Sequence, residues 1–130
     1  METGLIVKDS AQDVATTYAK LRTIIDTNPN LKILMELDHS ANAAKAGLEL
    51  EDTKIIMFGN PKLGTPLMQA SATTAIDLPQ KIIVYATASG TKIAYNDPMY
   101  LKERHGLSGA DEILKKVSGA LDAITNKAIE

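Results

Sequence analysis

The apolar residues of this 130-residue chain change their spacing along the sequence, and that change most constrains the fold. Near the start and at the end of the chain they recur every three or four residues, which places them on one face of an α-helix. The first stretch comprises Val14, Tyr18, Leu21 and Ile25, and the second comprises Ile113, Val117, Leu121, Ile124 and Ala128. The pattern predicts two long amphipathic helices that need a common apolar surface to cover.

Before and between these helices, the apolar residues are spaced as in β-strands. From Leu31 to Leu37 they occupy every second position, which is the pattern of a half-buried strand. Four shorter runs predict further strands, at residues 4–8, 54–58, 81–87 and 91–96. The last two flank Ala88-Ser89-Gly90, a sequence that predicts a hairpin turn.

Two pairs of polar residues predict the starts of the long helices. Ser10 with Asp13, and Ser108 with Asp111, have the spacing of a capping box, in which a hydroxyl and a carboxylate satisfy free amides of the first turn. Pro29 follows the first helical stretch and predicts its end, because the residue before a proline avoids helical backbone angles.

Shorter helices are predicted in the connections. Thr65-Pro66 and Asp97-Pro98 each place a capping side chain before a proline at the first helical position. Gly106 predicts the end of the second of these helices, and an Ala-rich helix is predicted over 40–47. The cluster of helix breakers over 59–64 predicts a loop.

Together these elements predict an α+β fold in a single domain, residues 1–130. The expected architecture is an antiparallel sheet of about five strands, with two long helices on one face and short helices in the connections. Apolar residues lie on both sides of some strands, for example at Leu34, Ile56 and Ile83, so the second face is expected to be under-covered. We therefore expect a homodimer that packs sheet against sheet, or loops that cover this face.

Charge and composition exclude several classes of function. The net charge of -2 argues against binding to nucleic acid, which needs a basic surface. The absence of cysteine excludes disulfides, thiolate nucleophiles and cysteine metal clusters. The sequence has neither the ~18 consecutive apolar residues of a membrane span nor a leader pattern at its start. The chain as given is expected to be soluble and cytoplasmic, and an exported form with a removed signal peptide stays open.

Polar side chains gather in two segments that read as irregular backbone, 58–69 and 95–107. Gly59 and Gly64 can present amides to an anion, although the segment lacks the Gly-Lys-Ser/Thr ending of a phosphate-binding loop. A tight strand-to-helix turn explains the same residues. Helix capping likewise explains Asp97.

His105 is the most versatile side chain of the second segment. In the last turn of its predicted helix it interacts favourably with the helix dipole, and its alternative roles are proton carrier or metal ligand. The neighbouring Arg104 can bind a carboxylate or a phosphate, or pair with Glu103 or Asp97 on the surface.

A metal site would require the two histidines to approach each other. His39 and His105 would have to meet in space, with Asp38, Asp77 or Asp97 completing the ligand set. Nothing in the spacing of these residues requires that arrangement, so we predict no metal ligands.

Several short motifs, each weak alone, together resemble one known family. They are Phe58-Gly59-Asn60-Pro61, Gly64-Thr65-Pro66-Leu67-Met68-Gln69, Asp77-Leu78-Pro79, Tyr95-Asn96-Asp97-Pro98, Tyr100-Leu101 and Arg104-His105-Gly106-Leu107, with Asp38-His39 ahead of the Ala-rich stretch. From about residue 4 to residue 107 the chain resembles DUF302, a domain-of-unknown-function family. The resemblance implies a TATA-binding-protein-like fold of strand, helix, four strands and helix, often dimeric. It does not imply an activity, because the family is named for having none assigned, and the cofactor stays unknown.

The polar residues shared by that family define the candidate site. They map onto His39, Asn60, Thr65, Gln69, Asp77, Asp97, Tyr100, Arg104 and His105. These residues would line one pocket if the segment after the third strand met the helix after the hairpin. Asn60, Asp77 and Asp97 also suit turn or capping roles. All nine except Asp77 are predicted to contact a small ligand.

Three functions remain open on the sequence alone. The first is a homodimeric module that binds or senses a small ligand. The second is an enzyme of hydrolase or isomerase type, with His105 or His39 as its acid or base. The third is a purely structural interaction domain. The sequence identifies no cofactor or substrate, and it predicts no nucleic-acid or membrane partner.

Overall fold

A computed structural model describes residues 3–130 and contains a five-stranded sheet with helices in its connections. The strands are β1 (Leu5–Ser10), β2 (Lys32–Asp38), β3 (Thr53–Gly59), β4 (Gln80–Thr87) and β5 (Gly90–Asn96). The helices are α1 (Val14–Asp26), α2 (His39–Lys45), α3 (Pro61–Ala70), α4 (Pro98–His105) and α5 (Asp111–Ala128), with a 3-10 helix at Ala72–Ile76. The predicted α+β class is confirmed.

The sheet is antiparallel throughout, in the order β1-β5-β4-β3-β2. The hairpin between β4 and β5 turns through Ala88 and Ser89, since Thr87 pairs with Gly90. In the order of the sheet, strands β1 and β2 lie at its two edges. Edge strand β2 contains a bulge between Ile33 and Met35, which leaves Leu34 outside the regular pairing.

Both long helices cover one face of the sheet, as predicted. The core between them contains Ile56 and Phe58 of β3, Ile82 and Val84 of β4, Ile93 and Tyr95 of β5, Leu21 and Ile25 of α1, and Leu121 and Ile124 of α5. A smaller apolar cluster, Leu67, Leu107, Ala110 and Leu114, packs α3 against the start of α5. This second cluster holds α3 over one end of the sheet.

The other face of the sheet, called the open sheet face below, is only partly covered: Met57 and Ile83 in its middle are half-buried, and its edge strands are exposed. Because side chains alternate along a strand, the register places Val7, Leu37, Met57 and Ile83 on this face. Val7 remains 42% exposed and Leu37 remains 37% exposed. The sheet therefore has an under-covered apolar face, as expected. Ile56, which was one of the residues behind that expectation, lies instead on the covered face and is fully buried.

Both predicted capping boxes are wrong. Ser10 ends β1, and its hydroxyl lies 2.6 Å from the Thr17 hydroxyl, whereas the carboxylate of Asp13 accepts from the amide of Thr16 and caps α1. At α5 the capping position is Ala110, and no side-chain cap is formed among the described residues.

The predicted loop over 59–64 and the predicted helix start at Thr65-Pro66 are also wrong. Helix α3 begins at Pro61, almost directly after β3 ends, because the carboxamide oxygen of Asn60 accepts from the amide of Lys62 and Pro61 occupies the first turn. Pro66 consequently lies inside the helix. The cap at Asp97 and the left-handed end at Gly106 are confirmed for α4.

Candidate functional site

The connections at one end of the sheet carry the candidate site. At this end β3 ends and β4 begins, while β5 ends and β1 begins. Helix α3 and the 3-10 helix lie between β3 and β4, and α4 follows β5. The segment after the third strand therefore meets the helix after the hairpin, which is the condition the sequence left open.

A polar cluster forms where these segments meet. The Nε2 atom of His105 lies 2.5 Å from Oδ2 of Asp77, and its Nδ1 atom lies 2.8 Å from the hydroxyl of Thr73. The Nη1 atom of Arg104 donates to both carboxylate oxygens of Asp77, at 3.1 Å each. The side chains of His105 and Asp77 are only 4% and 12% exposed. We call Thr73, Asp77, Arg104 and His105 the Asp77 cluster.

The contacts of the Asp77 cluster fit one tautomer of a neutral His105. An ionised carboxylate can only accept, so Nε2 of His105 carries the proton and donates to Asp77. In the neutral imidazole Nδ1 is then an acceptor, and the Thr73 hydroxyl donates to it. In this tautomer Nδ1 of His105 faces the Thr73 hydroxyl, and the Asp77 carboxylate lies on the other side of the ring.

Sequence reasoning missed the 3-10 helix and, with it, Thr73. The nearby Thr74 was also missed, and its fully buried hydroxyl has no hydrogen-bond partner in the part of the chain described. A run of small and β-branched residues, Ala72–Ile76, has no periodicity that would single out either threonine. The only available signal was the resemblance, which included Asp77 as a shared polar residue.

The other predicted ligand-binding residues lie outside the cluster. Asn60 and Asp97 cap α3 and α4 through their side chains. The ring of Tyr100 lies directly against Gly4, where a Cβ atom would overlap it. Gln69 is exposed on α3, and Thr65 is exposed on the same helix beside an apolar cavity.

His39 lies at the opposite end of the sheet from the Asp77 cluster. It is the first residue of α2, directly after β2, and Asp38 pairs with Lys54 at the start of β3. His105 instead lies beyond the end of β5. The two histidines therefore belong to different surfaces. Across residues 3–130, no three His, Asp or Glu side chains are grouped as a metal site.

Next to the Asp77 cluster, an apolar cavity opens between α3, α5 and the end of the sheet. Its volume is about 380 Å³. The apolar lining includes Leu31, Leu34, Phe58, Leu63, Leu67, Leu78, Val117, Leu121 and Ile124. Leu78 and Pro79 of the lining directly follow Asp77, so one segment contributes to both features.

Three pKa shifts, those of Asp38, Asp13 and Tyr18, come from caps and packing away from this end. The hydroxyl of Ser40 and the amide of Ala41 lower the pKa of Asp38, and the amide and side chain of Thr16 lower that of Asp13. Burial and the hydrogen bond to Glu36 raise the pKa of Tyr18. The protonated phenol of Tyr18 therefore stays available to join α1 to β2, at 2.7 Å from Glu36.

A comparison with family models decides the family. The model described as "Domain of unknown function DUF302" matches residues 6–124. The chain belongs to the DUF302 family. This confirms the resemblance drawn from the motifs.

A solved DUF302 structure supports the fold. The crystal structure of an uncharacterized conserved DUF302 protein from Bacillus stearothermophilus superposes with a TM-score of 0.85 at 18% identity. The match covers 98% of this chain and 99% of that one. At this identity the likeness concerns the fold alone.

Curated relatives of this DUF302 chain are longer proteins. Fluoride-specific ion channel FluC 1 of Brucella suis biovar 1 is 33% identical over 117 residues, which cover 89% of this chain and 46% of that protein. FluC 2 of Brucella melitensis biotype 1 is likewise 33% identical, with 43% of its length covered. The chain thus spans less than half the length of these relatives. In residues 3–130, no helix has the length and apolarity to cross a membrane.

Proposed function

We propose that this DUF302 chain is a module that binds a small, largely apolar ligand in the cavity between α3 and α5. The observation that carries the proposal is the cavity itself. Its volume of about 380 Å³ lies within the range of small-molecule sites, and apolar side chains form most of its wall. Among the predicted ligand-binding residues, Asn60 and Thr65 line it.

The setting of the cavity supports a sensing role. Its wall combines β3, α3 and α5 with the segment before β4, so a bound ligand would tie these elements together. The chain matches less than half the length of relatives that are named as channels. A partial match of this kind suits a module that binds a ligand and passes the signal to a protein attached to it. The channel activity in those names forms no part of the proposal, because most of each relative lies outside the match.

The test compares two substitutions on the same helix. Ala120 and Ala123 are both exposed on α5, but only Ala120 lines the cavity. Wild type, Ala120→Phe and Ala123→Phe are titrated with 1-decanol, and the methyl resonances of Leu67 and Leu121 are followed by NMR. We expect saturable shifts in wild type and Ala123→Phe that Ala120→Phe abolishes. No shift in wild type, or equal shifts in all three proteins, would overturn the proposal.

We also propose that the module is a homodimer whose open sheet faces pack together. Every strand places an apolar side chain on this face: Val7 of β1, Ala94 of β5, Ile83 of β4, Met57 of β3 and Leu37 of β2. At its β1 edge Lys92 and Asp9 carry opposite charges, 2.5 Å apart. An apolar face with paired charges is suited to a copy of itself, as in a two-fold interface.

The Asp77 cluster favours a second candidate function, an enzyme of hydrolase type. Thr73 would attack an ester carbonyl while His105 accepts the hydroxyl proton at Nδ1 and Asp77 stabilises the resulting imidazolium. The ester bond to the alcohol would then break, and the His105 imidazolium would give its proton to the departing alcohol. Water, deprotonated by His105, would attack the acyl-threonine, so that the acid leaves and the imidazolium returns its proton to the Thr73 oxygen. The test is p-nitrophenyl ester hydrolysis by wild type, His105→Gln and Thr73→Ala. We expect rates to fall about 10²-fold or more in both variants, and unchanged rates would remove this candidate.

A further inference from the structure

We infer that the ligand of the apolar cavity is an amphipathic carboxylic acid, held by its hydrocarbon chain in the cavity and by its carboxylate at Lys32. The inference rests on the proposed binding function and names the class of molecule bound. It follows from three features of the lining: the apolar side chains of its deep wall, the hydrogen-bond donors of its polar residues, and the single charged residue, Lys32.

The deep wall of the cavity suits a hydrocarbon chain. Phe58, Leu67 and Leu121 contribute to it from three different elements and are themselves no more than 2% exposed. Leu63 and Leu78 complete the wall next to α3. Because these side chains are held in the packed core, the cavity is pre-formed and binding need not order its wall.

Each polar lining residue offers at least one hydrogen-bond donor, and the ammonium group of Lys32 can only donate. The polar lining residues are Lys32, Asn60, Thr65 and Gln80, and no carboxylate lines the cavity among residues 3–130. The side-chain oxygen of Asn60 already accepts from the amide of Lys62, which leaves its NH₂ group for other partners. A ligand whose polar end is a hydrogen-bond acceptor fits these groups better than one that must donate.

Lys32 supplies the only charge of the lining in the described part of the chain. It has no ion-pair partner among those residues, whereas Lys8, Lys92 and Lys102 are paired with Asp122, Asp9 and Asp111. Lys32 also borders a second, more polar depression that contains Asp26 and Glu36. There Glu36 is already bound by Arg22 and Tyr18. An unpaired lysine at the edge of an apolar cavity favours a negatively charged head group.

These features predict how affinity depends on the ligand. Each methylene removed from water should strengthen binding about fourfold until the cavity is filled. The carboxylate should bind about threefold to tenfold more tightly than the alcohol of equal length, since Lys32 is exposed and partly screened by water. The corresponding amine should bind more weakly than the alcohol.

The experiment measures dissociation constants of hexanoate, octanoate, decanoate, 1-decanol and decylamine for the full chain, below the concentrations at which they form micelles. The variants are Lys32→Gln and a matched control, Lys45→Gln, which removes an exposed lysine from α2 at the other end of the sheet. We expect decanoate to bind most tightly, Lys32→Gln to bring it to the level of decanol, and Lys45→Gln to match wild type.

The outcomes separate the inference from the proposed function. If decanol and decanoate bind wild type equally, or if Lys32→Gln leaves decanoate binding unchanged, the carboxylate assignment is overturned while apolar binding stands. Tighter binding of decylamine would overturn it as well. If none of the ligands shifts the methyl resonances of the cavity, the proposed function itself fails and the inference fails with it.

Discussion

At the scale of single residues, Asp77 connects two segments that are far apart in the chain. Its carboxylate accepts hydrogen bonds from Arg104 and His105, which lie on α4, and its main-chain amide bonds to Thr74 within the 3-10 helix. On the sequence alone Asp77 suited a turn, and Arg104 suited a pairing with Glu103 or Asp97. The actual partner of Arg104 is Asp77, because β4 and β5 return α4 to the start of β4.

We predict that Asp77→Asn destabilises the protein by about 1–3 kcal/mol, because two donors at a largely buried position lose a charged acceptor. Urea unfolding measures the change, and Asp26→Asn, at an exposed position, is the control with the same loss of charge. A double-mutant cycle with His105→Gln should show a coupling of about 0.5–3 kcal/mol. Additive effects would mean that the hydrogen bond contributes nothing to stability.

At the scale of elements, α4 shows how a local cap positions site residues. Asp97 accepts from the amide of Met99 at the start of the helix, and Gly106 ends it in the left-handed conformation. His105 and Arg104 occupy the last turn, so their positions depend on where the helix begins and ends. This cap was predictable because Asp-Pro after a strand is a local signal.

We predict that Asp97→Ala costs about 1 kcal/mol and that Asp97→Asn costs much less, because asparagine can still accept the capping hydrogen bond. Unfolding in urea gives both values. The ring resonances of His105 should shift more in Asp97→Ala, since fraying of α4 reaches the Asp77 cluster. Equal costs for the two variants would show that charge, rather than capping, is what Asp97 contributes.

The caps of α1 and α2 predict an acid dependence of stability. The pKa values of Asp13 and Asp38 are lowered from 3.8 in the folded state, so both carboxylates stabilise the fold above that value. This contribution is lost as the pH falls through the lowered pKa values. Between about pH 5 and about pH 3 the melting temperature of Asp13→Asn/Asp38→Asn should therefore fall less than that of wild type. Parallel curves for the two proteins would contradict the prediction.

At the scale of the whole molecule, the open sheet face is the feature to test for assembly. A lysine at Met57, near the middle of this face, would bring like charges together in a two-fold dimer and bury them. We predict that wild type sediments as a dimer and that Met57→Lys sediments as a monomer. Ile76→Lys is the control, since Ile76 is 70% exposed but lies on the 3-10 helix. A monomeric wild type, or a dimeric Met57→Lys, would refute the sheet-to-sheet dimer.

The sequence predicted the class and order of the elements because those depend on neighbours a few positions apart. Apolar spacing identified α1, α5 and the five strands, and Asp97-Pro98 located the start of α4. Local signals failed where two of them competed. At α3 both Asn60-Pro61 and Thr65-Pro66 can begin a helix, and the earlier pair starts it while Pro66 is accommodated inside.

Only the tertiary structure decided which distant residues share a site. Asp77 and His105 are 28 positions apart, and the cavity combines β2, β3, α3 and α5. Their meeting depends on strand order and on the packing of α3 against α5, since no local spacing encodes a contact between elements. The same topology separated His39 from His105. The sequence by itself therefore determined the order of the main helices and strands and the presence of apolar residues on both faces of the sheet. The strand order in the sheet and the packing of the helices decided where the polar groups and the cavity come together.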